Sequence, residues 1–213
     1  MKLKRNLMLF LCLILTYIQT SSAQEVDAAL VTGMNGSGTV MSRNANLPLA
    51  TLIKLRTGDT TEISNGSTLQ LVYLATGLVE SWKGPARFVV GKTKTEKKIQ
   101  GEPSTRTLPS AMLEKIARAP DVMTDLRNRS GLYAVRSFDT RTTERMAQAQ
   151  TLYDKEKTAA DNTETTPDLY MFVMLYQAKR YRDASAALAK IIALYPDDKA
   201  LIRLSDDLNA KIR

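Results

Sequence analysis

"TLQLVYLATGLVESWKGPARFVV", Thr68 to Val90, decides the fold, because apolar and polar residues alternate in it between glycine-marked breaks. Leu69, Leu71 and Tyr73 fall on one face of a first strand, since side chains in a strand alternate with a period of two. Gly77 breaks that strand, "LVESW" follows, Gly84-Pro85 turns, and "ARFVV" sets Ala86, Phe88 and Val90 on a common face. The same grammar extends upstream. In "LATLIKLRTGD" Leu49, Ile53 and Leu55 face one way while Lys54 and Arg56 face the other, and a turn at Gly58-Asp59 leads to a short "TTEIS" and an Asn65-Gly66 turn. Short strands at intervals of roughly 8–12 residues, separated by Gly and Asn-Gly, predict an antiparallel sandwich or small barrel. It runs from about Val26 to Gln100.

Within this stretch Trp82 is the single tryptophan of the chain. Pro85 has no N–H to give to a ladder, so it belongs at a turn or strand edge, and Gly84 relieves the backbone beside it. Trp82 is expected to fold over an open end of the sandwich core, because large aromatics dominate core energetics in small domains. Strict alternation puts it on the same side as Glu80, which leaves its face open, and a ligand-stacking platform is the competing role.

After Pro103 the period changes to that of helices. "LPSAMLEKIARA" carries Met112, Leu113 and Ile116 at helical spacing behind Pro109-Ser110. "SGLYAVRSF" has the composition of one further strand returning to the sheet, and Arg141 to Ala159 reads as a polar helix with a thin stripe of Met146, Ala149 and Tyr153. "DNTETTPD" is the clearest linker, with Thr166-Pro167 as a cap and first-position pair. Three amphipathic helices close the chain: Leu169, Phe172, Val173 and Tyr176 share one face of the first. Ala184, Leu188, Ile191 and Tyr195 line the second, which Pro196 closes, and Leu201, Leu204, Leu208 and Ile212 line the third. The expected fold class is therefore a mainly β, jelly-roll-like sandwich followed by an α-helical C-terminal region. Its expected divisions are a leader at 1–23, a β-domain at 25–101, a helical and linker region at 102–165, and a helical hairpin with a capping helix at 166–213. The polar linker is expected to let that last part stand apart and mediate association, with Phe172, Tyr176, Tyr181 and Leu188 as the partner surface.

The first residues read as a secretory leader. Lys2, Lys4 and Arg5 precede an apolar run from Leu7 to Ile18, and Ser21-Ser22-Ala23 offers a cleavage point between Ala23 and Gln24. That run has 12 residues, too few to span a bilayer, which takes roughly 20. The 213-residue chain carries 30 Lys and Arg against 22 Asp and Glu, a net charge of +8. Cleavage removes three basic residues and leaves 27 against 22, a net +5. The sole cysteine, Cys12, leaves with the leader, so the mature chain has no disulfide framework, which suits a bacterial periplasm. The densest basic run, Lys92 to Lys98, suits either an anionic partner or a solvated sheet edge guarded by lysines. It has no interleaved aromatics, which argues against nucleic acid. With no histidine and no mature cysteine, the chain excludes Ser-His-Asp hydrolysis, Cys-His catalysis, thiol redox and the usual zinc ligand sets. Carboxylate-only glycosidase chemistry remains as an alternative, with Asp59, Glu62 and Glu80 as acids near turns.

Two resemblances follow from these residues. "VTGMNGSGTV", "LIKLRTGDTTEISNGSTLQLVYLATG" and "ESWKGPARFVVG", over about Ala29 to Gly91, resemble the FecR-like exported β-domain, with Gly58-Asp59 before a short strand and Gly84-Pro85 after Trp82. Residues Thr166 to Asp198 resemble one tetratricopeptide repeat, with Tyr181, Ala184, Leu188 and Pro196 at matching positions and Phe172 and Leu175 departing from the pattern. FecR-type regulators carry a membrane span before this domain, whereas here the leader runs almost directly into the first strand. The resemblance therefore implies an exported, periplasmic, non-catalytic binding or scaffolding protein of the bacterial envelope, without a cofactor and without stable membrane insertion. Its partner would be an envelope protein or cell-wall glycan, with self-association through 166–213. A sensor accessory of FecR-type signalling is the alternative.

Overall fold

The computed structural model describes residues 26–42, 45–127 and 140–212. The N-terminal part is a sandwich of two five-stranded antiparallel sheets. Its strands are β1 (Asp27–Asn35), β2 (Gly38–Ser42), β3 (Ala45–Pro48), β4 (Lys54–Arg56), β5 (Thr60–Ile63), β6 (Thr68–Tyr73), β7 (Leu78–Lys83), β8 (Ala86–Val90), β9 (Thr95–Gln100) and β10 (Ser104–Thr107). One sheet runs β10-β7-β6-β1-β4 and the other β3-β2-β5-β8-β9. Helices follow, so the chain is a β-sandwich with a helical C-terminal region.

The alternation explains the sandwich. Leu69, Leu71 and Tyr73 from β6 meet Ala86, Phe88 and Val90 from β8 in one buried core, together with Val31, Leu55, Ile63 and Trp82. Gly58 takes φ of 90° in the β4–β5 turn, a backbone region that side chains other than glycine resist. Gly84 is required for a different reason: a Cβ there would lie 1.9 Å from the Ser64 carbonyl oxygen. The "LATLIKLRTGD" strand is shorter than its alternation predicts. Leu52 adopts φ of 68°, so only Lys54–Arg56 pairs as a strand, and Leu52 is thrown to the opposite side of the sheet. Leu49, Ile53 and Leu55 still pack into the sandwich core. The Lys92–Lys98 run includes most of β9, an edge strand exposed along nearly all its length, with Lys98 paired to Glu102.

The helices are α1 (Ser110–Ile116), α2 (Ala119–Arg127), α3 (Thr140–Ala159), α4 (Thr166–Gln177), α5 (Tyr181–Leu194) and α6 (Lys199–Ile212). The proposed strand "SGLYAVRSF" lies outside the described residues. The expected stripes are present: Met112 and Ile116 on α1, Ala149 and Tyr153 on α3, Ala184, Leu188 and Ile191 on α5, and Leu201, Leu204 and Leu208 on α6 are all buried. α4 begins at Thr166 with Pro167 in its first turn, and Thr165 is the flanking residue. It is buried on nearly every side, as a helix apolar all round must be.

The helices form a third layer on the outer face of the first sheet. Leu30, Val72, Val79 and Leu52 point away from the sandwich core and share a second core with α1 to α6. This corrects the expectation that residues 166–213 stand apart. The Thr158–Thr166 linker, polar by composition, uses its polar atoms on the sheet. The Thr165 hydroxyl donates to the Thr32 carbonyl at 2.9 Å, Gln70 Nε2 donates to the Thr163 carbonyl at 3.0 Å, and Gln70 Oε1 accepts the Thr165 N–H at 3.2 Å. Arg106 on β10 adds a charged tie, reaching Glu156 of α3 and Glu164 of the linker at 2.5 Å each. Burial alone would lower the Arg106 pKa, but the two carboxylates outweigh it and hold it above its ordinary value.

Candidate functional site

A cleft opens where the sandwich and the last two helices meet. Two structural stops create it. β1 ends at Asn35, and the turn Asn35-Gly36-Ser37-Gly38 is held by the Ser37 N–H donating to Ser67 Oγ at 2.9 Å and by the Ser37 hydroxyl donating to Ser64 Oγ at 2.9 Å. α5 ends before Tyr195-Pro196, because proline cannot continue the helix. Asp198 then caps α6, its Oδ1 accepting the N–H groups of Ala200 at 2.8 Å and Leu201 at 3.2 Å, while its Oδ2 takes the Thr51 hydroxyl from the sandwich. Tyr195 packs close against β1: a Cβ on Gly33 would lie 2.6 Å from its hydroxyl and 2.7 Å from its ring. Its hydroxyl donates to the Thr163 carbonyl at 3.1 Å, and burial pushes its pKa up to about 12.

The cleft has two lobes. The larger, about 430 Å³, lies between the Asn35–Gly38 turn, Pro48–Ala50 and the Tyr195–Ala200 corner. The smaller, about 270 Å³, lies between the Thr68–Gln70 and Ser81–Lys83 segments, Asp161, Thr163 and Leu194. Asn35 and Tyr195 line both lobes, so the two adjoin there. The second lobe is floored by two cross-strand rungs, Thr68–Lys83 and Gln70–Ser81. Asp161 at its rim accepts the N–H and hydroxyl of Thr163, which hold its carboxyl below the ordinary carboxylate range, with Lys83 adding to the effect.

A separate cavity of about 240 Å³ lies among α3, α4 and α5. Buried Asp168 lines it and accepts from the Tyr153 hydroxyl at 2.9 Å and from Lys157 Nζ at 2.7 Å. Lys190 donates to Tyr153 at 3.3 Å. Burial first, and the Asp168 carboxylate second, raise the Tyr153 pKa to about 12. Each polar atom in this group serves another, so the group fastens three helices together.

The residues singled out from the sequence are dispersed. Gly58 and Asp59 form the β4–β5 turn, where Asp59 accepts the Arg56 N–H at 2.8 Å. Gly84 and Pro85 form the β7–β8 turn. Trp82 is 1% exposed and stacks on Phe88 with centroids 4.1 Å apart and planes 11° apart. Alternation holds, and it is Glu80 that is carried inside. At 3% exposure its Oε2 accepts Trp82 Nε1 at 3.0 Å and the Thr95 hydroxyl at 2.6 Å, and its Oε1 accepts the Thr95 N–H at 3.0 Å. Glu80 is therefore sealed from any substrate, and Glu62 points outward from β5. The helical residues taken as a partner surface are corrected. Phe172 and Leu188 are 0% exposed and Tyr176 is nearly so. Tyr181 packs on Tyr176 at 5.4 Å, and Lys211 of α6 covers both rings. These side chains fill the helical core.

Of the residues singled out from the sequence, Trp82 alone borders the cleft, and its ring lies on the sandwich-core side of the sheet, away from the lobe. Asn35, Ser37, Ser81, Asp161, Thr163 and Tyr195 were not selected as site residues. The Asn35-Gly36 and Tyr195-Pro196 stops were visible, but their meeting depends on how α5 packs across β1. Among the described residues no group of three or more His, Cys, Asp or Glu is placed to hold a metal ion, and no helix is long and apolar enough to cross a membrane. Comparison with protein-family models, with curated proteins and with solved structures finds no match to this chain.

Proposed function

We propose that this protein is a non-catalytic binding or scaffolding module of the bacterial cell envelope, exported through residues 1–23 and working in the periplasm on a FecR-like β-domain. The observation that carries the reading is the two-lobed cleft at the seam. It is built jointly by the sandwich and the helices, is large enough for a ligand, and is lined by polar side chains fixed in place by the fold. Neither of its lobes pairs a nucleophile with a base, and the acids suggested by the sequence are engaged elsewhere or remote from it. The tetratricopeptide-like hairpin serves as one wall of the cleft and brings Tyr195 and Asp198 to it.

The test has two parts. Expressed with its leader, the protein should be recovered from the osmotic-shock fraction with Gln24 as its first residue. The purified mature protein should co-sediment with envelope material, and Ser37→Trp, which fills the larger lobe, should abolish that association. Intact leader in the cytosolic fraction, or envelope association unaffected by Ser37→Trp, would refute the reading.

A further inference from the structure

We infer that the seam cleft takes a neutral oligosaccharide chain, an assignment that rests on the binding-module reading and narrows it. The first ground is shape. Two lobes of about 430 and 270 Å³ lie side by side at Asn35 and Tyr195, which offers adjoining places for successive units of a chain.

The second ground is the chemistry of the lining. Among the described residues, the side chains of Asn35, Thr68 and Ser81 make no hydrogen bond to the protein, and all three residues line the smaller lobe. An amide and two hydroxyls both donate and accept, which is the pairing that sugar hydroxyls need. Gln70, beside them, is locked by its bonds to Thr163 and Thr165, so the rung it shares with Ser81 is rigid. Leu194 in the smaller lobe and Met34 and Leu49 in the larger supply apolar wall for the ring faces of a sugar.

The third ground is charge. The smaller lobe carries one cation, Lys83, beside one anion, Asp161. In the larger lobe Lys199 stands with Asp197 and Asp198, the latter also accepting from the α6 N-terminus and Thr51. The cleft thus carries three carboxylates against two lysines in a chain of net charge +8, which disfavours a polyanion as its occupant.

An extended peptide is the natural rival, and the topology argues against it. Peptides bound as strands need an open backbone edge. The smaller lobe lies over β6 and β7, and both are interior strands paired on each side. Side chains, not free ladder groups, are offered there.

Binding is read by calorimetry on the unlabelled full-length mature protein, because the Trp82 ring lies on the sandwich-core side of the sheet, behind the lobe wall that Ser81 and Lys83 face. The probes are the tetramers of β-1,4-linked N-acetylglucosamine and of β-1,4-linked glucose, with an uncharged tetrapeptide and polyglutamate for comparison. At least one tetrasaccharide should give saturable calorimetric heat, with Kd tighter than about 1 mM. Asn35→Ala with Ser81→Ala should weaken it at least about tenfold, the equivalent of one or two hydrogen bonds. Asn35 is exposed and Ser81 half-buried, so circular dichroism and the unfolding midpoint should hardly move. Gln150→Ala, in the separate helical cavity, should leave binding unchanged. Absence of saturation with both sugars up to about 10 mM, saturation by the peptide or polyglutamate alone, or equal binding by the double variant would each overturn the assignment. Envelope association that persists while both sugars fail would sink the saccharide assignment alone and leave the binding-module reading standing.

Discussion

Glu80 shows how this sandwich tolerates a carboxylate in its core: three donors converge on its two oxygens, and Thr95 in turn is within 3.1 Å of the Tyr73 hydroxyl. Removing the acceptor is costly because it orphans buried donors. Glu80→Ala should destabilise the protein by about 2–4 kcal/mol in denaturant unfolding, leaving Trp82 Nε1 and the Thr95 N–H without a partner. Trp82→Ala removes the ring stacked on Phe88 and should cost about 3–5 kcal/mol, while the wild-type tryptophan emission should be blue-shifted. The alternation of Thr68–Val90 correctly put Trp82 and Glu80 on one side. What it could not show was that the charged residue follows the aromatic inward, because the compensating Thr95 comes from another sheet. The tyrosines give a pH test. Tyr153 and Tyr195 have folded-state pKa values of about 12 against the ordinary 10.0, chiefly through burial. Their neutral forms are favoured in the fold, so that stability is fully present below pH 10 and is lost as pH rises through 12. Tyr73 and Tyr170 are raised in the same direction by burial. Stability should therefore fall with pH above 10. In the double Tyr153→Phe, Tyr195→Phe variant the fall should be shallower, as followed by tyrosinate absorbance and circular dichroism together.

At the scale of elements, residue period was a sufficient guide wherever one face of an element is buried and the other is wet. The α5 and α6 stripes are such cases: Ala184, Leu188 and Ile191, then Leu201, Leu204 and Leu208, are each buried as their spacing requires. Period fails where both faces are covered. β1 is buried from Ala28 to Met34 without interruption, and α4 is buried almost throughout, so neither shows which neighbour lies on which side. The cleft was illegible for the same reason. It depends on Tyr195 crossing Gly33, two residues far apart in the chain, and no local pattern marks that contact. Gly33→Ala tests it directly, because the added methyl would lie 2.6 Å from the Tyr195 hydroxyl and 2.7 Å from its ring, and the α5 end must move. The expected cost is about 1–3 kcal/mol. Tetrasaccharide binding should weaken as well, since Tyr195 lines both lobes. An unchanged midpoint with unchanged binding would mean that Tyr195 can leave β1 freely and does not fix the seam.

For the whole molecule, the first sheet is the middle layer of three, and this determines how the protein must unfold. Its inner side belongs to the sandwich core and its outer side, through Leu30, Val72 and Val79, to the helical core. A sheet covered on both faces cannot lose one cover without exposing apolar surface to water, and apolar burial is the dominant favourable term in folding. Composition suggested otherwise, because the Thr158–Thr166 stretch has the polar content of a free linker. Its threonines and Glu164 instead bond to Thr32, Gln70 and Arg106, so the connection fastens the layers together. Deleting residues 166–213 would take away α4 to α6 and strip the sheet and α1 of their shared core, with Met112 and Ile116 going from fully buried to exposed. The truncated chain should therefore lose the blue-shifted Trp82 emission, bind a hydrophobic dye and aggregate. The full chain should unfold in one transition seen alike by Trp82 emission, which reports the sandwich, and by far-UV ellipticity, which reports mainly the helices. Two separated transitions, or a monodisperse truncation that keeps its native emission, would show that the outer face of the sheet does not need the helices and that the layers fold independently.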